Sequence, residues 1–492
     1  MKAIFTAGAA LALLGMALPA GARGESEPAE ATQADAAKQA ALAEAMQAAE
    51  LWIEGRRQYR RIPAISAALV NGDRTVWAKG FGTTDRAGKA PATPDTIYSI
   101  CSISKIFTAV ALMQQWERGK VALDAPVTRY LPWAQLADDP RESVPVTLRG
   151  LLTHSAGLPR ESDFPYWTGP NFPFPTQAQI RARIGSQTPL YPASTTWQYS
   201  NLGLTLVGET VEAVSGEGYA DYVTAHILDP LGLDDTRPGI PSELYGKQMA
   251  VGWGALEADG KRPQVALFDP AGITPAAGFS ASVADLARFA GWTLRLGKSG
   301  KEEVLRASTL REMQRVHYVS PDWEVSWGLG FAVRQVGGTT VVRHGGTCPG
   351  YRSELAISPR EDMAVAVAMN AMDDPGVVAR GIAALVKARG EAKPFAAVEG
   401  VDLADYTGVY SGQPWDSDYM LVEWAGGLTW LEPDAEEPAT ALARLKPLGQ
   451  DRFRVVTAKG DERDEVRFER DAQGRVSAIW QHANMSPRLR PL

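Results

Sequence analysis

The sequence predicts an α/β fold in which helices cover a sheet assembled from distant segments, with a smaller all-β unit at the C-terminal end. Three observations carry this. Strand-like runs stand at both ends of roughly the first 390 residues, with helical patterns between them, so strands far apart in the chain must share a sheet. Composition then shifts at residues 391–400, a Pro- and Ala-containing stretch. Beyond it, short strand-like runs are separated by Gly- and Asp-rich turns.

Taken in order, residues 25–50 are rich in Ala, Glu and Gln and read as a mobile linker running into a helix that includes Leu51, Trp52 and Ile53. Residues 64–70 and 74–81 read as two strands joined by a tight turn at Asn71-Gly72-Asp73. A helix is expected from 102 to about 118, ended by Gly119. Its apolar positions Ile103, Ile106, Phe107 and Val110 fall at i, i+3, i+4 and i+7. Helical patterns recur after Asn201, at 219–228 and at 283–296. Strands are expected near 328–333, 339–342, 353–357 and 363–369, with a closing helix near 377–387. In the C-terminal unit the strand-like runs are 419–424, 428–431, 453–456, 465–468 and 476–480. The expected organisation is a signal peptide at 1–22, a main domain at 40–390, a linker at 391–402 and a β-domain at 403–492. No internal repeat is visible.

At 492 residues the chain has room for one large domain and one smaller one. With 45% hydrophobic and 22% charged residues its composition is that of a globular protein, and a net charge of −7 without a basic tract argues against nucleic acid as a partner. Histidines at 154, 226, 317, 344 and 482 form no pair at metal-ligating spacing, so neither a metal nor another cofactor is expected.

Met1-Lys2 gives a short positive start, residues 3–18 an apolar core, and Ala20-Gly21-Ala22 an A-x-A cleavage site. This reads as a secretory signal. The apolar run is short for a membrane span and ends in Pro19 and small residues, which disfavours a retained anchor, and no cysteine follows it to carry a lipid. A periplasmic or secreted protein without a stable membrane anchor is expected.

Three strings carry the chemistry: Ser102-Ile103-Ser104-Lys105, Tyr199-Ser200-Asn201 and His344-Gly345-Gly346. A lone S-x-x-K is expected about once in a chain this long, so the weight rests on the order. S-x-x-K followed by Y-x-N and then H-x-G resembles the serine β-lactamase and penicillin-binding-protein superfamily, in its class C and esterase-like branch. The resemblance covers about residues 40–390. It implies a β-lactamase/transpeptidase-like antiparallel sheet flanked by helices, and the C-terminal β-domain is similar to the lipocalin-like barrel appended to some members.

Acyl transfer needs an activated hydroxyl, a base and donors for the oxyanion. Ser102 supplies the hydroxyl. Lys105, three residues on, shares its helix face and acts as base once burial or a neighbouring cation removes its proton. Tyr199 is a second proton carrier, able to take the serine proton and then protonate the leaving group. Asn201 orients the substrate's acyl-side amide or caps a helix, roles that can coexist. His344 stands where many relatives have lysine. It can donate to substrate or hold Tyr199, and its less certain charge weakens the case for a substrate carboxylate. Gly345 and Gly346 allow substrate close to the strand edge. By resemblance, the backbone N–H groups of Ser102 and Thr347 form the oxyanion hole. Arg352 either recognises an anionic group or is structural. His154 and Ser155, tempting as a dyad, are read as structural, and the absence of G-x-S-x-G disfavours an α/β-hydrolase.

The resemblance also bears on the two cysteines. Cys101 precedes the nucleophile and Cys348 follows the H-x-G string. A cysteine pair so placed is a disulfide in some class A carbapenemases, so a Cys101–Cys348 bond is expected over two free buried thiols. Between Pro159 and Tyr199, the residues Phe164, Tyr166, Trp167, Phe172 and Phe174 either line the cleft as a hydrophobic wall or form an ordinary packed loop.

The expected function is that of an exported serine hydrolase working through an acyl-Ser102 intermediate on a small molecule or peptide: a peptide, amide, ester or lactam. A β-lactamase proper is the alternative enzyme, and a non-catalytic penicillin-binding or sensing module the alternative of another class. Oligomeric state is left open.

Overall fold

A computed structural model describes residues 27–137, 141–440 and 442–492. The expected signal peptide at 1–22 lies outside the described residues. The hairpin β1 (Ala64–Asn71) and β2 (Arg74–Gly82) turns at Gly72, whose φ of +63° suits a residue without Cβ. Short β3 (Tyr98–Cys101) pairs with β4 (Phe279–Ala281), and β5 (Glu302–Glu303) with β6 (Leu305–Arg306). Then follow β7 (Tyr318–Val319), β8 (Ser326–Trp327), β9 (Ala332–Val336), β10 (Thr339–Cys348), β11 (Tyr351–Ser358) and β12 (Met363–Met369). The main sheet has eight antiparallel strands in the order β2-β1-β12-β11-β10-β9-β8-β7, so a hairpin from the start of the domain is joined to strands from its end.

Alternation along β1 explains why this strand reads as continuously apolar. Ile65, Ala67 and Leu69 join one core with Trp52, Ile53, Val378 and Ile382 of helices Glu27–Tyr59 and Pro375–Glu391. Ala68 and Val70 join the opposite core with Leu286 and Phe289 of helix Val283–Lys298. Side chains two apart share a face, and both faces are covered.

Three expectations are corrected. The 25–50 segment is not a linker. Helix Glu27–Tyr59 runs through it, as suits an Ala-rich sequence of high helix propensity, and Ala45, Ala48 and Ala49 are buried. Of the strand expected at 328–333 only Ala332 and Val333 are extended, in β9; residues 328–331 turn the chain between β8 and β9, where Gly330 takes a φ of +83° and its N–H points to the Leu152 carbonyl. The helix expected from Ser102 begins at Ser104.

The C-terminal unit is a closed eight-stranded barrel: β13 (Gly408–Tyr410), β14 (Tyr419–Trp424), β15 (Gly427–Leu431), β16 (Arg444–Gly449), β17 (Arg452–Val456), β18 (Glu462–Arg470), β19 (Val476–Gln481) and β20 (Asn484–Arg490). Leu421, Leu428, Leu445, Phe453 and Phe468 fill it. Its outer residues Val422, Trp424, Leu431 and Leu442 share a core with Trp52. Trp52 Nε1 donates to the Ala435 carbonyl at 3.0 Å, and Arg56 and Arg60 both pair with Asp434. The barrel thus docks on the helix layer, on the other side of the sheet from the core that holds Cys101, Ile103 and Cys348.

Trp52 is fully buried where helix, sheet and barrel meet, and Gly381 has no side chain because the Trp52 ring occupies that space. Trp52→Ala is expected to cost about 3–5 kcal/mol, read as a lowered midpoint in urea denaturation.

Candidate active site

Ser102 lies in the turn between β3 and helix Ser104–Glu117, at the positive end of the helix. The backbone there is unusual: Cys101, a non-glycine residue, takes a φ of +52°. Ser104 fixes the turn, its hydroxyl donating to the Cys101 carbonyl and accepting from the Phe279 N–H. Ser102 is 9% exposed, whereas Lys105 is 1% exposed. Lys105 Nζ lies 3.1 Å from Ser102 Oγ, 2.7 Å from Asn201 Oδ1 and 2.7 Å from the Ala276 carbonyl.

Two of those three partners can only accept. A neutral amine there directs its two hydrogens to Asn201 Oδ1 and Ala276 O, which leaves the lone pair toward the Ser102 hydroxyl. Burial holds the Lys105 ammonium well below its ordinary 10.5, opposed by Glu161 and reinforced by Arg160. The Tyr199 phenol lies beside Ser102, and burial raises its pKa above the ordinary 10 against the lowering effects of the Ser102 hydroxyl and nearby Arg160. Tyr199 therefore stays protonated in the resting site. Its ring centroid is 4.8 Å from Lys105 Nζ and 5.1 Å from the Arg160 guanidinium carbon.

Asn201 opens helix Asn201–Ser215, but Ser200 is the cap, accepting from the Gly203 N–H. The Asn201 amide is turned inward, with Oδ1 on Lys105 and Nδ2 donating to Glu161 Oε1. His344 is 4% exposed. Its Nδ1 lies 2.8 Å from the Gly345 carbonyl, which can only accept, so Nδ1 carries the proton and Nε2 presents a lone pair. Burial, then Lys105, push its pKa down to about 3, and the ring is neutral. In this tautomer Nε2 offers an acceptor rather than a donor. His344 stands in an aromatic group, its ring 5.7 Å from Trp327 and 6.3 Å from Tyr199.

Gly346 is also required by packing. A Cβ there would collide with the Ile100 carbonyl and Ser353 Oγ, so its absence lets β10 lie against β3. Thr347 is exposed on β10, and Arg352 lies opposite it on β11. Arg352 is within 3.7 Å of Asp374, an ion pair that an incoming anion would have to displace. Cys101 and Cys348 form a disulfide with Cα atoms 5.8 Å apart, joining the residue before Ser102 to the residue after Thr347.

His154 is buried with φ +58°, accepts from the Ser200 N–H at Nδ1, and backs Tyr199 at 4.3 Å between rings. Ser155 bonds Thr153 instead. Phe172, Phe174 and Trp167 pack with Phe268, and Trp167 Nε1 donates to Glu161. Sequence reasoning missed Arg160, Glu161, Trp327 and the Ala276 carbonyl. All but Trp327 lie outside strands and helices with readable periodicity, and a carbonyl has no residue-type signature.

A serine–lysine–tyrosine cluster at the start of a buried helix, beside an antiparallel sheet flanked by helices, defines a serine hydrolase of the β-lactamase and penicillin-binding-protein fold. The chain belongs to the Beta-lactamase family, whose model matches residues 42–389. It is 26% identical over 351 residues to beta-lactamase-like 1 of Homo sapiens, covering 68% of this chain and 67% of that protein. It is 27% identical over 314 residues to penicillin-binding protein 4 of Amycolatopsis lactamdurans, covering 62% of this chain and 80% of that one. The structure of the octameric penicillin-binding protein homologue from Pyrococcus abyssi matches with a TM-score of 0.60 at 25% identity, over 89% of this chain and 98% of that chain. The first four curated relatives are matched over 32% to 67% of their own lengths.

The disulfide closes a loop of 247 residues, which the chain-entropy model values at about 5 kcal/mol. Reduction is expected to lower the unfolding free energy by about 2–5 kcal/mol in paired urea titrations with and without a thiol reductant.

Proposed function

We propose that the protein is an exported hydrolase that forms an acyl-Ser102 intermediate on a peptide, amide, ester or lactam. The observation that carries this reading is the contact set of Lys105 Nζ, which directs two N–H groups to fixed acceptors and a lone pair to Ser102 Oγ. Lys105 takes the Ser102 proton as Oγ bonds to the acyl carbon. Tyr199, kept protonated, gives its proton to the departing nitrogen or oxygen and regains one from Lys105. Water then attacks the acyl-enzyme, losing its proton along the same pair while Ser102 recovers its own. The oxyanion donors are the backbone N–H groups of Ser102 and Thr347, a reading supported by the disulfide that clamps their neighbours.

His344 gives a substrate carboxylate no cation, since it is neutral and offers an acceptor. This supports esterase-like substrates without a free carboxylate, and it leaves D-alanyl-D-alanine carboxypeptidase-like peptides, which end in one, without a cation at this position. Penicillin-binding and β-lactamase-like proteins among the relatives keep the lactam reading in view. Export is supported by the apolar N-terminal sequence with its A-x-A string and by the disulfide, a bond that persists in oxidising compartments.

The test is the intact mass of the protein after incubation with a penicillin, with the ligand's fate followed in parallel. A Ser102-dependent adduct or ring opening, lost in Ser102→Ala, is expected. An unmodified protein that also fails to turn over p-nitrophenyl esters and D-alanyl-D-alanine peptides would overturn the reading and favour a binding module. Lys105→Ala is expected to slow acylation by about 10²–10⁴-fold. The base must be neutral, so the acylation rate should climb as pH rises through the lowered pKa of Lys105. With the Tyr199 pKa above its ordinary 10, the alkaline decline should come only above pH 10.

A further inference from the structure

Glu161 sits next to Asn201, the partner of Lys105, and belongs to none of the three motifs. Its Oε1 accepts from Asn201 Nδ2 at 2.5 Å and from Trp167 Nε1 at 2.9 Å, with Arg160 Nε 3.6 Å away. Its Oε2 is buried and has no hydrogen-bond partner among the described residues. A carboxylate that keeps one oxygen buried and unpaired carries a desolvation cost, so its retention beside a buried lysine calls for a role.

The bonding forces one orientation. A carboxylate only accepts, so the Asn201 atom facing it must be the amide nitrogen, which turns Oδ1 to Lys105. With the amide reversed, Lys105 would meet an N–H donor and lose one of the two acceptors that aim its lone pair at Ser102. We propose that Glu161 is a positioning residue of the acyl-transfer site, fixing the Asn201 amide and, through its charge, setting how readily Lys105 gives up its proton. The aromatic segment then has a definite role, because the Trp167 indole, packed against Phe174 and Phe268, holds the carboxylate in place. The catalytic part of this proposal rests on the acyl-Ser102 reading.

The ionisable groups around Lys105 come from several elements. Arg160 and Glu161 lie in the loop before Gln177–Arg183, Tyr199 precedes helix Asn201–Ser215, His154 follows helix Leu148–Leu152, and His344 is on β10. Burial keeps both imidazoles neutral and the phenol protonated. Glu161 is thus the anion that favours the lysine cation, and Arg160 the cation that opposes it. Burial raises the pKa of Glu161 as well, against the hydrogen bonds from Trp167 and Asn201 and the charges of Lys105 and Arg160. The two groups therefore titrate as a coupled pair.

The test compares wild type with Glu161→Gln, which keeps an oxygen for Trp167 and Asn201 but removes the charge. The Lys105 titration is followed by NMR of ¹³Cε-lysine-labelled protein, its resonance assigned by loss in Lys105→Arg, and Ser102 reactivity by the pH dependence of fluorophosphonate labelling. In Glu161→Gln the Lys105 midpoint should move to lower pH, its acid dissociation constant rising by about threefold or more, with the acid limb of Ser102 labelling moving alongside. A Lys105 midpoint that superimposes on wild type overturns the proposal. A midpoint that moves in a protein whose Ser102 is never labelled upholds the coupling and instead removes the acyl-enzyme reading. Should Glu161→Gln not fold, Trp167→Phe withdraws one donor from the carboxylate while keeping an aromatic ring against Phe174 and Phe268. Its Lys105 midpoint should also fall, and an unchanged midpoint there overturns the proposal.

Discussion

A lysine amine buried against a serine hydroxyl is the constraint around which this site is organised. An ammonium loses its hydration in such a place, so it either finds acceptors for every hydrogen or gives a proton away. Here two acceptors come from parts of the chain far from the helix that carries Lys105: Asn201 at the start of one helix and the Ala276 carbonyl at the end of another. Helix Asn201–Ser215 must sit at one depth and one rotation for that contact to exist. Its Ser200 cap and the Arg160 carbonyl, which accepts from the N–H groups of Asn201 and Leu202, set that position.

The sheet contributes the other wall. β10 reaches the nucleophile turn because Gly346 lets it lie against Ile100, because Ser353 Oγ donates to the same carbonyl, and because Cys101 is bonded to Cys348. Three different devices thus draw β10 and its neighbour β11 against β3. The positive φ of Cys101 is held by this surround, as a strained backbone at a reactive residue must be.

Much of this was legible in the sequence, for physical reasons that also explain the remainder. β1 and β12 were readable because apolar runs bounded by turn residues have few other uses, β2 because Asn71-Gly72-Asp73 marks a tight turn after β1, and the ordered S-x-x-K, Y-x-N and H-x-G strings placed Ser102, Lys105, Tyr199, Asn201 and His344 in one neighbourhood. β16 and β20 were not, since Pro447 and Pro487 interrupt them and β20 is largely exposed. Closing the barrel supplies the partners that these strands do not advertise locally. The first part of helix Glu27–Tyr59, up to residue 50, reads as a linker because its small alanines carry little apolar signal and most of the core that buries them comes from residues 365–442. Glu161 was invisible because it lies in a loop whose geometry is set by Trp167 and Asn201. The proton position on His344 depends on a single backbone carbonyl.

The docking of Trp52 and Arg56 onto Ala435 and Asp434 has a consequence for how the chain reaches its final state. These contacts join residues 383 and 378 positions apart, and the other side of the Trp52 ring rests on Gly381. A chain emerging N-terminus first must carry that helix with its apolar stripe uncovered until the closing helix and then the barrel have been made. Contacts of such long sequence separation form late, because the entropy of closing the loop is met before the contact is gained. Native burial of the first helix is therefore a finishing step of folding, and the interval before it is when the chain is most exposed to aggregation and to the company of chaperones.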